Sequence, residues 1–207
     1  MRKNSRRSFV PMLGTALLGA SCLSVQGNSL YNDLPAGLIL PARLKKGDTI
    51  GVCAPAGCIN ELSEVNEFIE VLKDLGFKVK IGKNVSDQFG YFSADDESRA
   101  SEFMDFISDP EIKGIFAIRG GWGCARLLKL IDFKEIKNNP KVIMGFSDIT
   151  TLLNAISSKT GLVTFHGPGG NSSWNTYSLK YIKELLFNGE VVHYSNLKGM
   201  DAPIVTY

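Results

Sequence analysis

Histidine is scarce in this chain, with two among 207 residues, and cysteine nearly so, with four. The cysteines form no Cys-x-x-Cys pair and none is matched with a histidine at ligand spacing, so a zinc site is not expected. No Gly-Lys-Ser/Thr phosphate loop is present, and Gly121-Trp122-Gly123 lacks the third glycine of a dinucleotide fingerprint. Phosphate binding at that turn is therefore disfavoured, and no cofactor is implied. Neither charge sign dominates: 23 Lys and Arg face 21 Asp and Glu, a formal charge of +2. Nucleic-acid binding thus has no electrostatic footprint. Repeats and low-complexity tracts are missing too. What the chain does have, 44% hydrophobic and 21% charged residues, excludes a disordered or collagenous polymer and supplies one sizeable core.

The amino terminus is set apart from the rest. Met1 to Val10 is basic, and Pro11 to Val25 is a mildly apolar run broken by Gly14, Gly19 and Cys22. Such a run is too weak to persist as a membrane span and reads as an export signal. Ser5-Arg6-Arg7-Ser8-Phe9-Val10 resembles the twin-arginine type. Residues 1–27 are expected to be removed, with a periplasmic mature protein; lipidation at Cys22 is the second choice, because the usual leucine three residues before the cysteine is missing. Loss of Arg2, Lys3, Arg6 and Arg7 moves the formal charge from +2 to −2. Cys53, Cys58 and Cys124 then remain, an odd number, so at least one thiol stays unpaired within a monomer.

From residue 28 to 43 a polar arm is expected, and from 44 to 170 an α/β domain. Thr49 to Ala54 predicts a strand. Asn60 is the expected cap of a helix with Leu62, Val65, Ile69 and Leu72 at helical spacing up to Gly76. A strand at Phe77 to Ile81, a helix from about Asp95 to before Pro110, and a strand at Ile115 to Ile118 follow. A further helix should carry Leu127, Leu128, Leu130 and Ile131. Val142 to Phe146 and Leu162 to Phe165 are strands flanking a helix from Asp148 to Lys159, for which Ser147 is the expected cap. Apolar strands alternating with helices indicate a parallel sheet with helices on both faces. Residues 171–207, with a helix at Ser178 to Phe187, read as a linker and the start of a truncated second domain.

The turn Arg119-Gly120-Gly121-Trp122-Gly123-Cys124-Ala125-Arg126 joins a buried strand to an apolar helix. Its glycines allow positive φ and close backbone approach, which can hold a side chain out at the end of a sheet. Cys124 is the candidate nucleophile there, its thiolate stabilised by the helix N-terminus, with Gly121 and Ala125 as candidate oxyanion donors. The alternative for Cys124 is a buried cysteine that merely packs. Ligands of parallel sheets lie at the strand carboxyl ends. Gly123-Cys124, Ser147-Asp148 and His166-Gly167-Pro168 all fall at such ends, so Arg119, Trp122, Ser147, Asp148 and His166 are candidate pocket residues. For Ser147 and Asp148, helix capping is the first role and pocket lining the second.

Five stretches carry a family resemblance: Lys46 to Pro55, Asp96-Glu97-Ser98-Arg99-Ala100, Arg119 to Leu128, Gly145-Phe146-Ser147-Asp148-Ile149-Thr150 and Thr164-Phe165-His166-Gly167-Pro168. In this order they resemble the LD-carboxypeptidases, which include muramoyltetrapeptide carboxypeptidases and microcin-immunity peptidases. The resemblance implies an amino-terminal domain similar to class I glutamine amidotransferases, flavodoxin-like in architecture. It implies a serine peptidase that releases the terminal D-alanine of a muropeptide tetrapeptide by cutting an L-to-D amide, with a Ser-Glu-His triad and no metal. At the position taken for the nucleophile this chain has Cys124. The family's Glu and His would fall after about residue 190 and match no residue of these 207; His166 and His193 are expected to be structural. The chain alone is therefore expected to be inactive. The competing reading is a noncatalytic relic that at most binds muropeptide ends. Glutamine amidotransferase activity is disfavoured because no Pro-x-His-Pro-x-Glu is present. A homodimer is left open.

Overall fold

The computed structural model describes residues 37–194. The expected signal segment, the beginning of the arm, and residues 195–207 lie outside the described residues. Five strands form one parallel sheet: β1 (Thr49–Cys53), β2 (Lys78–Ile81), β3 (Ile112–Ala117), β4 (Val142–Gly145) and β5 (Phe165–His166). Their order across the sheet is β2-β1-β3-β4-β5. The chain therefore reverses its direction of winding between β1 and β3, the switch point at which parallel sheets open a crevice.

The apolar strands need cover on both faces, and side chains of alternate parity go to different cores. Ile50 and Val52 of β1, Phe116 of β3, and Val142 and Met144 of β4 pack with Val65, Phe68 and Leu72 of α1 (Leu62–Asp74). Cys53, Ile115, Ala117 and Ile143 pack with Ala100, Phe103, Phe106 and Ile107 of α2 (Asp96–Ser108) and with Leu152, Leu153 and Ile156 from later in the chain. Gly51 lets α2 lie close to β1, since a Cβ there would fall 2.6 Å from the Phe106 ring. The cap at Asp95 forms as the sequence indicates: its carboxylate accepts from Ser98 N at 2.7 Å, an arrangement worth about 1 kcal/mol.

Several expectations are corrected. Asn60 does not cap α1; Glu61 occupies the cap without a side-chain bond, and Asn60 Oδ1 accepts from Arg119 at 3.0 Å. The helix after the glycine-rich turn is a single turn, α3 (Cys124–Leu127), followed by α4 (Phe133–Asn138). Ser147 is not a cap, because α5 (Ile149–Thr160) begins after Asp148, at which no side-chain cap bond forms. The packing also reaches beyond 44–170 on both sides. Ile39 bridges Leu162, with Ile39 N donating to Gly161 O at 2.8 Å and Val163 N to Ile39 O at 2.8 Å. After α6 (Thr176–Ile182), which continues as a π-helical turn over Lys183–Asn188, Leu186 is 2% exposed in the same core as α1. Leu186 O accepts from Leu44 N at 2.9 Å. No helix among the described residues is long and apolar enough to cross a membrane.

Candidate active site

The carboxyl ends of β3 and β4 turn into two different corners that meet. At the end of β4, Ser147 has φ +60°, the one non-glycine among the described residues in the left-handed region. A serine with its Cβ pays a strain cost of about 1–2 kcal/mol to sit there, so packing must impose the conformation. That packing is visible on both sides. A Cβ on Gly145 would fall 2.7 Å from Ile149 Cγ2 and 3.1 Å from Ala117 Cβ, and a Cβ on Gly120 would fall 2.8 Å from Ser147 Cβ. Only glycines let strand, corner and glycine-rich turn approach this closely. A strained serine between a strand and a helix is the geometry of a nucleophile elbow, which lifts the hydroxyl out of the sheet. Ser147 is exposed.

Backbone groups at the corner are available. Ile149 N and Thr150 N are used within the turn, donating to Phe146 O and Ser147 O. The N–H groups of Asp148 and Gly121 donate to no acceptor among the described residues. Gly120 O accepts from Gly57 N at 3.1 Å. In a trans peptide the N–H lies opposite the C=O, so the Gly121 N–H is turned away from Gly57. The position of a Gly120 Cβ is 3.2 Å from Ser147 Oγ, which brings this peptide unit beside the hydroxyl.

Cys124 lies in the second corner, and its surroundings reverse what the sequence suggests. It is 0% exposed, and its Sγ lies 3.8 Å from Pro55 O. Its backbone N–H, which would have stabilised a thiolate, instead donates to Asp148 Oδ2 at 2.8 Å. Burial, and after it the Asp148 carboxylate, push the thiol well above its ordinary range. A four-residue helix has little dipole to oppose this. The thiol is therefore held neutral and enclosed, the environment of an inert cysteine. Cys53 is likewise buried, its thiol pushed up by burial and by nearby Glu102. All three described cysteines are free and buried.

The other candidates divide. Asp148 joins the two corners through its bond to Cys124 N. Arg119 is spent on structure, donating to Cys58 O and Asn60 Oδ1. Trp122 is 51% exposed and stacks on Tyr91 at 5.4 Å, at the rim of the glycine-rich turn. Ala125 is exposed on α3, after the residue whose N–H Asp148 occupies. His166 pairs in register with Gly145 but faces a separate apolar cleft of about 170 Å³ with Phe165, Tyr177 and Tyr181. Among the described residues, no histidine or carboxylate hydrogen-bonds to Ser147 Oγ, and no three-residue group of His, Cys, Asp and Glu could hold a metal. A serine before a helix has the pattern of a cap, which is why the sequence alone places Ser147 there. The signal that distinguishes it is Gly145 two residues earlier, at the end of a buried strand.

A five-stranded parallel sheet with two glycine-dependent corners at the carboxyl ends of β3 and β4 defines an α/β protein. The comparison with known families then fixes the class: residues 50–167 match the LD-carboxypeptidase N-terminal domain, and the chain belongs to that family of serine-type carboxypeptidases. It is 41% identical over 128 residues to a probable murein peptide carboxypeptidase of Bacillus subtilis, covering 62% of this chain and 40% of that protein. It is 38% identical over 132 residues to the microcin C7 self-immunity protein MccF of Escherichia coli, covering 63% and 38%. Among solved structures, an MccF-like protein from Bacillus anthracis aligns with a TM-score of 0.68 at 35% identity, over 72% of this chain and 47% of that one. A muramoyltetrapeptide carboxypeptidase from Oxalobacter formigenes aligns at 0.60 and 31%, over 66% and 47%. The chain thus spans about half the length, or less, of these relatives.

Proposed function

We propose that this chain forms the nucleophile-bearing half of a hydrolase that releases a terminal D-alanine from murein peptides, and that Ser147, not Cys124, is the nucleophile. The observation that carries this is the φ of +60° at Ser147. Strain of that kind persists where a side chain must be presented to a substrate. In support, a serine is among three residues replaced in a solved active-site mutant of MccF, at TM-score 0.67. The murein peptide substrate is supported by the names of the relatives, and the sheet order is that of flavodoxin-like domains, which agrees with an amidotransferase-like architecture.

In the proposed reaction Ser147 Oγ attacks the carbonyl carbon of the scissile amide. The resulting oxyanion takes hydrogen bonds from the N–H groups of Asp148, the residue after the nucleophile, and Gly121. Such donors are worth about 2.7–4 kcal/mol each in the transition state. Asp148 serves a second purpose, because its carboxylate holds Cys124 N and so keeps the glycine-rich turn against the elbow. A base must take the serine proton and pass it to the leaving amine, and on the family resemblance a Glu and His from a second domain do so. The test is D-alanine release from murein tetrapeptide by the chain alone and by the chain joined to the carboxyl-terminal half of the B. subtilis relative. Release by the fusion and not by the fusion with Ser147→Ala is expected; equal release by both overturns the assignment. Export through the twin-arginine route is proposed separately, and replacing Arg6 and Arg7 by Lys should block maturation.

A further inference from the structure

The Gly120–Gly121 peptide is held from behind as well as from the crevice. Gly57 N donates to Gly120 O at 3.1 Å, and Gly57 has little slack, since a Cβ there would fall 3.2 Å from Gly120 O and 3.4 Å from the Tyr91 ring. The loop carrying Gly57 is fixed residue by residue. Ala54 O accepts from Ser93 Oγ at 2.6 Å, Pro55 O from Arg99 Nη1 at 2.5 Å, and Cys58 N donates to Tyr91 O at 3.0 Å. Of these anchors Arg99 is the only charged group that is fully enclosed, at 1% exposed.

A buried guanidinium is tolerable only where its donors are filled. Arg99 Nε donates to Ala94 O at 3.0 Å, Nη1 to Pro55 O, and Nη2 to the Asp96 carboxylate. Its guanidinium also covers the face of Phe92 at 4.5 Å from the ring centre, while Phe92 meets Trp122 edge-on at 4.5 Å. A Cβ on Gly123 would fall 2.6 Å from Phe92 and 3.4 Å from Arg99 Nη1. One side chain thus braces both the loop behind Gly120 and the far end of the glycine-rich turn.

We propose that Arg99 is a positioning residue, which sets the tilt of the Gly120–Gly121 peptide through Pro55 and Gly57 and so aims the Gly121 N–H at the oxyanion position. Its use in catalysis rests on the assignment of Ser147 as nucleophile; the mechanical coupling does not. A purely structural arginine would loosen the domain as a whole, whereas this one acts first on a single hydrogen bond that it does not itself make.

Two readouts separate these outcomes. Amide hydrogen exchange, measured residue by residue in the 207-residue protein, compares wild type with Arg99→Lys and Arg99→Met. Gly57 should exchange about tenfold faster in Arg99→Met and by an intermediate factor in Arg99→Lys, with Ile50 and Ile115 in the sheet unchanged. Unaltered Gly57 exchange, or equal acceleration at Ile50 and Ile115, overturns the proposal. Should Arg99→Met fail to fold, Arg99→Lys alone decides in the same way. The second readout is the rate at which a fluorophosphonate modifies Ser147 in the fusion that supplies the second domain and its base, with wild-type Arg99 or Arg99→Met, which should fall with Gly57 protection. No modification of Ser147 in wild type, with the Gly57 effect present, would refute the nucleophile while upholding the coupling. Full modification in Arg99→Met despite a loosened Gly57 would overturn the catalytic role.

Discussion

Gly120→Ala isolates the crevice from the stability of the fold. Gly120 does not require a positive φ, so alanine brings no backbone strain there; its methyl would fall 2.8 Å from Ser147 Cβ, 3.2 Å from Ser147 Oγ and 3.3 Å from Phe146 O. The neighbour that must give way is the elbow itself. Overpacking of this kind costs about 1–3 kcal/mol, a shift of roughly 2–12 °C in the melting temperature of a domain this size. The effect on catalysis should be larger. Displacing the Gly120–Gly121 peptide removes one oxyanion donor and moves the hydroxyl, so D-alanine release by the fusion protein should fall about 10²- to 10³-fold. Gly90→Ala provides the control, because Gly90 has φ +63° but nothing within 4 Å of its Cβ. It should cost about 1–2 kcal/mol in strain and leave the rate unchanged. A Gly120→Ala protein that melts lower yet hydrolyses at the wild-type rate would refute the placement of the oxyanion beside Gly120.

Cys124 and Cys53, both buried and with thiols pushed up, should resist iodoacetamide in the native protein at pH 8, at least about tenfold more than in denaturant; mapping by mass spectrometry checks this, and a fast native Cys124 would contradict its enclosure. Burial raises the Glu102 carboxyl, which accepts from Asn84 N at 2.7 Å. A raised acid binds more protons folded than unfolded, so its contribution to stability is lost as pH rises from the ordinary carboxylate range through the folded value. Chemical denaturation from pH 4 to 8 should therefore show Glu102→Gln, which keeps an acceptor, losing less stability with pH than wild type.

How far these features could be read in advance differs by region. β1, β3, β4, α1, α2 and α5 were legible because their apolar residues recur at strand or helix spacing, and Asp95 declared its cap. The strand expected at Leu162 to Phe165 is instead β5 at Phe165–His166, with Leu162 paired only to Ile39 as an isolated bridge. Apolar Leu127, Leu128, Leu130 and Ile131 suggested one long helix, but after a single turn the chain leaves helical geometry, and Leu130 N and Leu128 N bond to Leu127 O and Ala125 O as turns. The family was legible in five short stretches, yet the burial of Cys124 and the strained corner at Ser147, on which the proposed nucleophile rests, were not. The choice between the two residues depends on a carboxylate from one corner reaching the N–H of the other, a contact between residues 24 apart in sequence. Local pattern favoured the cysteine at the glycine-rich turn; tertiary packing buried it and strained the serine.

The most direct test compares Ser147→Ala with Cys124→Ala in the fusion that supplies the second domain, measuring D-alanine release from murein tetrapeptide at saturating substrate. Ser147→Ala should abolish turnover with the fold intact, and Cys124→Ala should retain it within about tenfold, its loss confined to a small cavity in the core. Turnover that survives Ser147→Ala and disappears in Cys124→Ala would contradict the account.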